Sequence, residues 1–416
     1  MLVDGARQVG KTFLIHRFAE QNYGHFAEIN FIDDEGAARA LREATNSDDI
    51  FARITLYARG EFVPGDTLIF LDEIQECIEV VTAIKFLVQK HPEFDWILSG
   101  SLLGTEMSNA RSIPVGYLDS FTMYPLDFEE YCWAKGLPQT ALHAARDAFT
   151  ARKPLDDYIH KKLLDVFHDY LLVGGMPAAV QTFFNSQSMQ EVRSIQKGII
   201  DTYRGDISKY AGKKARTVKR IFDLIPAELS EQNKRFTISN VSGDAHFDRY
   251  ENDFLWLSDA GVALPTYNVR EPRPPLLLSQ NSTLFKLFLS DVGLLTYLCG
   301  LEVSRSIMEG RRDVLYGALY ENYVAQELKC RGFPLFYYKS SAKGEIDFLI
   351  ETDMNRVVPI EVKSGKTYKR HSALSNVLTT ENYGIDEALV LCESNIEQSG
   401  KITYAPIYCT TFLEKQ

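Results

Sequence analysis

The stretch GARQVGKT, residues 5–12, constrains this chain more than any other: Gly5 and Gly10 bracket four residues, and Lys11 and Thr12 follow at once. A loop of this composition can curl its backbone N–H groups around an anion, and the FLIHRFAEQ behind it repeats its apolar residues at helical spacing. A loop that opens a helix is therefore expected, with phosphate held by the loop amides and the helix N-terminus. Lys11 is expected to reach the outer phosphate oxygens, Thr12 to hold magnesium, and Phe13, next in the helix, to belong to the nucleotide contact. Only MLVD precedes the loop. The first strand is thus expected to be four residues long, with nothing upstream to cover a base.

The second half of such a site is TLIFLDEIQ, an apolar strand that ends in Asp72 and Glu73. A strand end that delivers two carboxylates beside a metal supplies a magnesium ligand through water, Asp72, and a group that polarises the attacking water, Glu73. A further strand, DWILSG, ends in Ser99, Gly100 and Ser101. These small polar residues suit a strand end near the terminal phosphate, with Ser99 as a nucleotide-side contact, and suit a plain strand-to-loop turn as well. Arg111, in SNARSIPVGY, reads as a solvated loop arginine or as one that reaches a phosphate.

With 416 residues and 45% hydrophobic content, two to four folded domains are expected. A net charge of -11 and a pI near 5.4 exclude a protein that coats nucleic acid non-specifically, so any such contact must be local. Six cysteines without C-x-x-C spacing suit a reducing compartment and disfavour a zinc site or disulfide framework. The longest apolar window, from Leu284, is interrupted by Lys286 and Asp291, and no secretory leader is read at the N-terminus. The expected location is the cytoplasm, without a membrane span.

From 120 to 204 the pattern is helical, broken at GGMP, Gly174 to Pro177, and reads as a lid. Beyond it, Lys213, Lys214, Arg216, Lys219 and Arg220 place five positive charges in eight residues. A helical HFDRYENDFLWLSDAG and an extended VALPTYNV follow in an order that suits a winged helix. Its would-be recognition helix carries Asp248, Glu251 and Asp253 against Arg249, which repels phosphate, while Tyr250, Phe254, Leu255 and Leu257 read as core. VREPRPPLLL, with three prolines in ten residues, reads as a linker.

The last constellation is GEIDFLIETDMNRVVPIEVKSGK, residues 344–366. Alternation puts Ile346, Phe348 and Ile350 on one face and Asp347 on the other, and it pairs Glu361 with Lys363 opposite Val358, Ile360 and Val362. A hairpin turn at ETDMN then brings Asp347 beside Glu361. Two carboxylates that close repel unless a cation lies between them. Glu321 shares the buried face of the helix YGALYENYVAQELKC, and a buried carboxylate needs a partner. Asp347, Glu361 and Glu321 are expected as magnesium ligands and Lys363 as the residue that positions water, an arrangement suited to phosphodiester cleavage. Lys366, Lys369 and Arg370 add a local positive patch.

GARQVGKT, LDEIQ, ILSGS, YPLDFEEY and YLLVGGMP together resemble a family of prokaryotic AAA-type ATPases, and the resemblance runs over essentially the whole chain. It implies ATP binding and hydrolysis through Lys11, Thr12, Asp72 and Glu73. The family also has a few tens of residues ahead of the loop that this chain lacks. Asp347 and the EVK of Glu361 to Lys363 are similar to the PD-(D/E)XK nuclease fold, with Glu321 at its helix acid. The expected fold is multidomain α/β: a P-loop ATPase core (1–119), a helical lid (120–204), a winged-helix segment (205–270) and a PD-(D/E)XK-like domain (279–416). Two functions follow from this. In one, ATP and magnesium control a nuclease-like domain acting on DNA; in the other, ATP switches a protein-interaction module whose nuclease-like domain does not cut. Both leave room for a homo-oligomer.

Overall fold

The structure, a computed structural model, describes residues 1–101, 118–231, 233–241, 247–311, 316–352 and 354–415, without the side chains of 247–249. Arg111, Asp248 and Arg249, singled out above, lie outside what is described. The chain forms two compact units. One comprises Met1–Tyr124 and Leu255–Val262, the other Pro125–Phe254 and Ala263–Gln416.

The first unit is built on five parallel strands, β1 (Leu2–Asp4), β2 (His25–Asn30), β3 (Thr67–Asp72), β4 (Asp95–Ser99) and β5 (Ser120–Thr122), in the order β2-β3-β4-β1-β5. All six residues of β3 are buried, as its unbroken apolar run requires of a strand covered on both faces. Ile69 and Leu71 join one core cluster with the helices Glu35–Arg42, Ser47–Tyr57 and Ile78–Lys90. Leu68 and Phe70 face the other way, onto Ile15 and Ala19 of the helix Lys11–Asn22. Because the strands are parallel, Asp4, Asp72 and Ser99 all emerge at one edge, where side chains from several strand ends can converge.

In the second unit, eight strands form one mixed sheet: β6 (Ala263–Val269), β7 (Gln280–Leu289), β8 (Phe336–Ser340), β9 (Gly344–Thr352), β10 (Arg356–Val362), β11 (Ala388–Cys392), β12 (Glu397–Ser399) and β13 (Ile402–Pro406). Their order is β12-β13-β11-β10-β9-β8-β6-β7. This departs from the expected segmentation. β6, expected as the extended arm of a winged helix, pairs with β7 and with β8, so the proline-rich stretch is the β6–β7 connection inside one sheet and not a boundary between domains. Alternation along one strand does not name its partners, and β8 lies about 70 residues beyond β6. Asp253, expected on an exposed helix face, is buried and paired with Lys214 at 2.8 Å, and Leu255 is exposed rather than core. Among the described residues no single helix is long and apolar enough to cross a membrane.

GGMP ends the helix Asp157–Val173 and begins Pro177–Ser186, as expected. A Cβ at Gly175 would lie 2.0 Å from the carbonyl oxygen of Leu126, so only glycine fits. The buried Asp291 accepts hydrogen bonds from the Gly175 amide (2.6 Å) and the Leu294 amide (2.8 Å), joining that break to the start of the helix Val292–Leu298. Asp291→Ala is expected to strand both amides and lower the stability of the second unit by about 2–4 kcal/mol, measured by urea unfolding.

Candidate functional site

At the edge of the first sheet, Gly5 (φ 138°) and Gly10 (φ 99°) adopt backbone angles that L side chains rarely take. A Cβ on Gly5 would also lie 2.2 Å from the carbonyl oxygen of Met123. The loop is thereby folded back on itself. Lys11, only 7% exposed, donates from Nζ to the carbonyl oxygens of Gly5 and Ala6, both at 2.9 Å, so its ammonium lies within the loop. Burial pushes the Lys11 amine down to about 8, against the pull of Glu73, Asp72 and Asp4.

Asp72, 2% exposed, is the hub of this edge. Its Oδ2 accepts from Thr12 Oγ1 and from Asn30 Nδ2, both at 3.0 Å, and its Oδ1 from the Glu73 amide at 3.0 Å and from the Ser99 hydroxyl. A hydroxyl and a carboxylate side by side are a hard-oxygen pair that fits magnesium, with Thr12 and Asp72 as the residues to hold it. Glu73 stands at φ 56°, left-handed for a residue other than glycine, a conformation that costs energy and concentrates at functional sites. Its Oε2 accepts from Gln75 Nε2 at 2.5 Å and from Ser101 Oγ at 3.3 Å, and Ser101 in turn accepts from Arg7 Nε at 3.1 Å. The Phe13 side chain is 77% exposed. Asn30 was not legible beforehand; its signal is its register directly opposite Asp72 in the neighbouring strand.

In the second unit, the pairing of β9 with β8 slips between Ile346 and Leu349, so that Asp347 and Phe348 together stand against Tyr337. This bulge breaks the strict alternation expected for β9: Ile346 and Leu349 join one apolar cluster, while Phe348 meets Phe288. The hairpin register, Ile360 opposite Phe348, still carries Asp347 to the level of Glu361, and Asp347 Oδ2 accepts from the Val362 amide at 2.8 Å. Lys363 Nζ lies 2.6 Å from Glu361 Oε1, whereas the buried Glu361 Oε2 has no hydrogen-bond partner.

Three residues beyond the expected set complete this cluster: Lys234, Lys286 and Glu345. Lys286 Nζ lies 2.8 Å from Glu345, 3.3 Å from Glu321 and 3.8 Å from Asp347, and Lys234 bonds the other oxygen of Glu321. Burial pushes Glu321 up, but Lys234 and Lys286 outweigh it and hold its carboxyl below the usual range. Burial pushes Asp347 well above the carboxylate range, helped by Glu321 and Glu361, and it raises Glu361 against the pull of Lys363. The sequence signal of Lys286 is a lone lysine inside the apolar run LFKLFL, read above only against a membrane span.

Among the described residues no group of three or more histidine, cysteine, aspartate or glutamate side chains is spaced to hold a metal. Of the expected magnesium shell of Glu321, Asp347 and Glu361, Glu321 is bonded on both oxygens by lysine ammonium groups, Lys234 and Lys286. The positive patch beside it is also reduced, since Lys369 pairs with Glu397 at 2.8 Å.

Residues 1–132 match the family described as AAA domain. Residues 164–305 and 316–410 match two domains of unknown function, DUF8612 and DUF4143. No curated protein matches the chain. Similar solved structures include the Walker-type ATPase of Pyrococcus abyssi, at 13% identity over 72% of this chain and 90% of that one, TM-score 0.43. Others are Cdc6p of Pyrobaculum aerophilum (13% identity, 75% and 88% covered, TM-score 0.24) and the Aeropyrum pernix ORC1 protein in complex with DNA (13%, 71% and 85%, 0.27). Residues 1–132, which make up most of the first unit, are thus similar to an AAA domain.

Phosphate favours the charged lysine, so affinity for ATP is expected to fall as pH rises through about 8, where Lys11 loses its proton. Calorimetric titration between pH 7 and 9.5 should show the fall in the native chain and not in Lys11→Met.

Proposed function

We propose that this protein is an ATP-hydrolysing switch whose nucleotide state controls a nuclease-like second unit that binds a partner and does not cleave it. The observation that carries the reading is Lys286, buried among Glu321, Glu345 and Asp347: with Lys234 on Glu321 and Lys339 on Glu345, three lysines stand against these three acids within the chain.

In the first unit, Lys11 would bind the outer phosphate oxygens, and Thr12 and Asp72 would hold magnesium, which neutralises phosphate charge when bound. Glu73 would take the proton of the attacking water, with Gln75 and Ser101 positioning its carboxylate. Control of the second unit is supported by chain connectivity. The segment Leu255–Val262 belongs to the first unit, and a Cβ at Gly261 would lie 3.0 Å from the Ala6 amide nitrogen of the phosphate loop. From there the chain runs directly into β6, an internal strand of the second sheet. A change in the loop on nucleotide binding thus has a short covalent route.

A second reading, magnesium-dependent cleavage of DNA by Asp347, Glu361 and Lys363, is favoured by the unpartnered Oε2 of Glu361. The partner class follows from which reading holds: a protein in the first, a nucleic acid in the second.

Lys11→Ala is expected to abolish ATP turnover, and Glu73→Gln to slow it by roughly 100-fold or more while ATP still binds, read by phosphate release and calorimetry. Unchanged turnover in Lys11→Ala sinks the ATPase half. Incubation of the native chain with DNA or RNA, ATP and magnesium or manganese should yield no cleavage; cleavage lost in both Asp347→Ala and Lys363→Ala selects the second reading.

A further inference from the structure

We infer that Lys286 is the resident cation of the second site: its ammonium takes the place of a divalent metal and excludes one. The side chain is 1% exposed, and it and Lys11 are the buried lysines among the described residues. An ammonium taken out of water in this way needs acceptors or opposite charges around it, and at Lys286 these are carboxylates. Lys286 has three of them, from two elements: Glu321 on the helix Tyr316–Cys330, and Glu345 and Asp347 on β9. The ring of Tyr337 adds a face 5.2 Å from Nζ, and that residue stands opposite the β9 bulge that aims Asp347.

Charge makes the case against a metal. Glu321 is bonded on one oxygen by Lys234 and on the other by Lys286, and Glu345 is bonded by Lys286 and by Lys339 at 2.6 Å. Glu361 is held on one oxygen by Lys363. A divalent ion at Asp347 and Glu361 would have to sit within a few ångströms of the Lys286 ammonium, which is 1% exposed and 3.8 Å from Asp347. Two like charges so placed in a low-dielectric interior repel each other, and that repulsion opposes what a carboxylate–metal contact returns. Lys286 is therefore a specificity-determining residue that sets what the cluster can hold.

The inference rests on the metal-free reading above, but it is decided by binding of manganese and not by cleavage, so the two can fail separately. The nucleotide-free full chain is titrated with manganese(II) chloride, and free manganese is followed by electron paramagnetic resonance. The native chain is expected to show no manganese site that Asp347→Asn removes. Lys286→Met, which keeps the length of the stem without its charge, is expected to gain one that binds at least about tenfold tighter than any manganese held by the native chain, lost again in Lys286→Met/Asp347→Asn. A manganese site in the native chain that Asp347→Asn or Glu361→Gln abolishes overturns the inference, and this arm needs no Lys286 variant to fold. A Lys286→Met protein with a native melting profile and no gain in manganese binding overturns it as well. Cleavage without a change in these titrations would count against the proposed function alone.

Discussion

A carboxylate removed from water has to be given donors or a cation, and that demand organises both units of this protein. Asp72 receives four donors from four different stretches of chain: Thr12, Asn30, the Glu73 amide and Ser99. Asp291 receives two backbone amides and fastens a glycine break to a helix start, though burial still pushes its carboxyl up to about 6. Glu327, pushed up to about 8 by burial and Asp127, accepts the Phe128 amide at 3.0 Å within a cluster of aromatic rings. Glu321 receives two lysines. Each carboxylate binds segments that sequence distance keeps apart.

The same demand has different outcomes at the two candidate sites. Around Asp72 the partners are neutral hydroxyl, amide and backbone groups, so no cation from within the chain is bonded to it. Around Glu321 the partners are ammonium groups, and the charge is consumed inside the protein. Lysine and carboxylate also recur at the P-loop, where Lys11 is buried yet bonded to carbonyl oxygens alone, and burial pushes it down to about 8. Lys286, bonded to carboxylates, is pushed the opposite way. A lysine poised to lose or gain an anionic partner and a lysine locked to one differ in their neighbours, not in their depth.

Short-range features were legible from the residues. The loop of Gly5 to Thr12 and the helix behind it, the buried strand ending at Asp72, the GGMP break and the approach of Asp347 to Glu361 all depend on spacing within a few turns or one hairpin. What escaped reading was long-range. Asn30 reaches Asp72 only through parallel register, β6 joins the C-terminal sheet through strands some 70 residues on, and Lys234 meets Glu321 across 87 positions. The bulge at Asp347 and Phe348 was equally hidden, since alternation assumes a regular strand and a bulge is decided by the neighbouring strand's register.

The sequence alone determined that a phosphate-binding loop stands at the start of this chain and that two acids and a lysine meet near its end, because glycine spacing and strand period are local properties of the backbone. Only the tertiary structure decided what surrounds those groups. Hydroxyls and amides converge on Asp72 where parallel strands end together, and a lysine from β7 enters the acidic cluster where strands distant in sequence share one sheet. Electrostatics falls with distance in space and is indifferent to distance along the chain, so the chemistry of each site was set by neighbours that sequence order does not reveal.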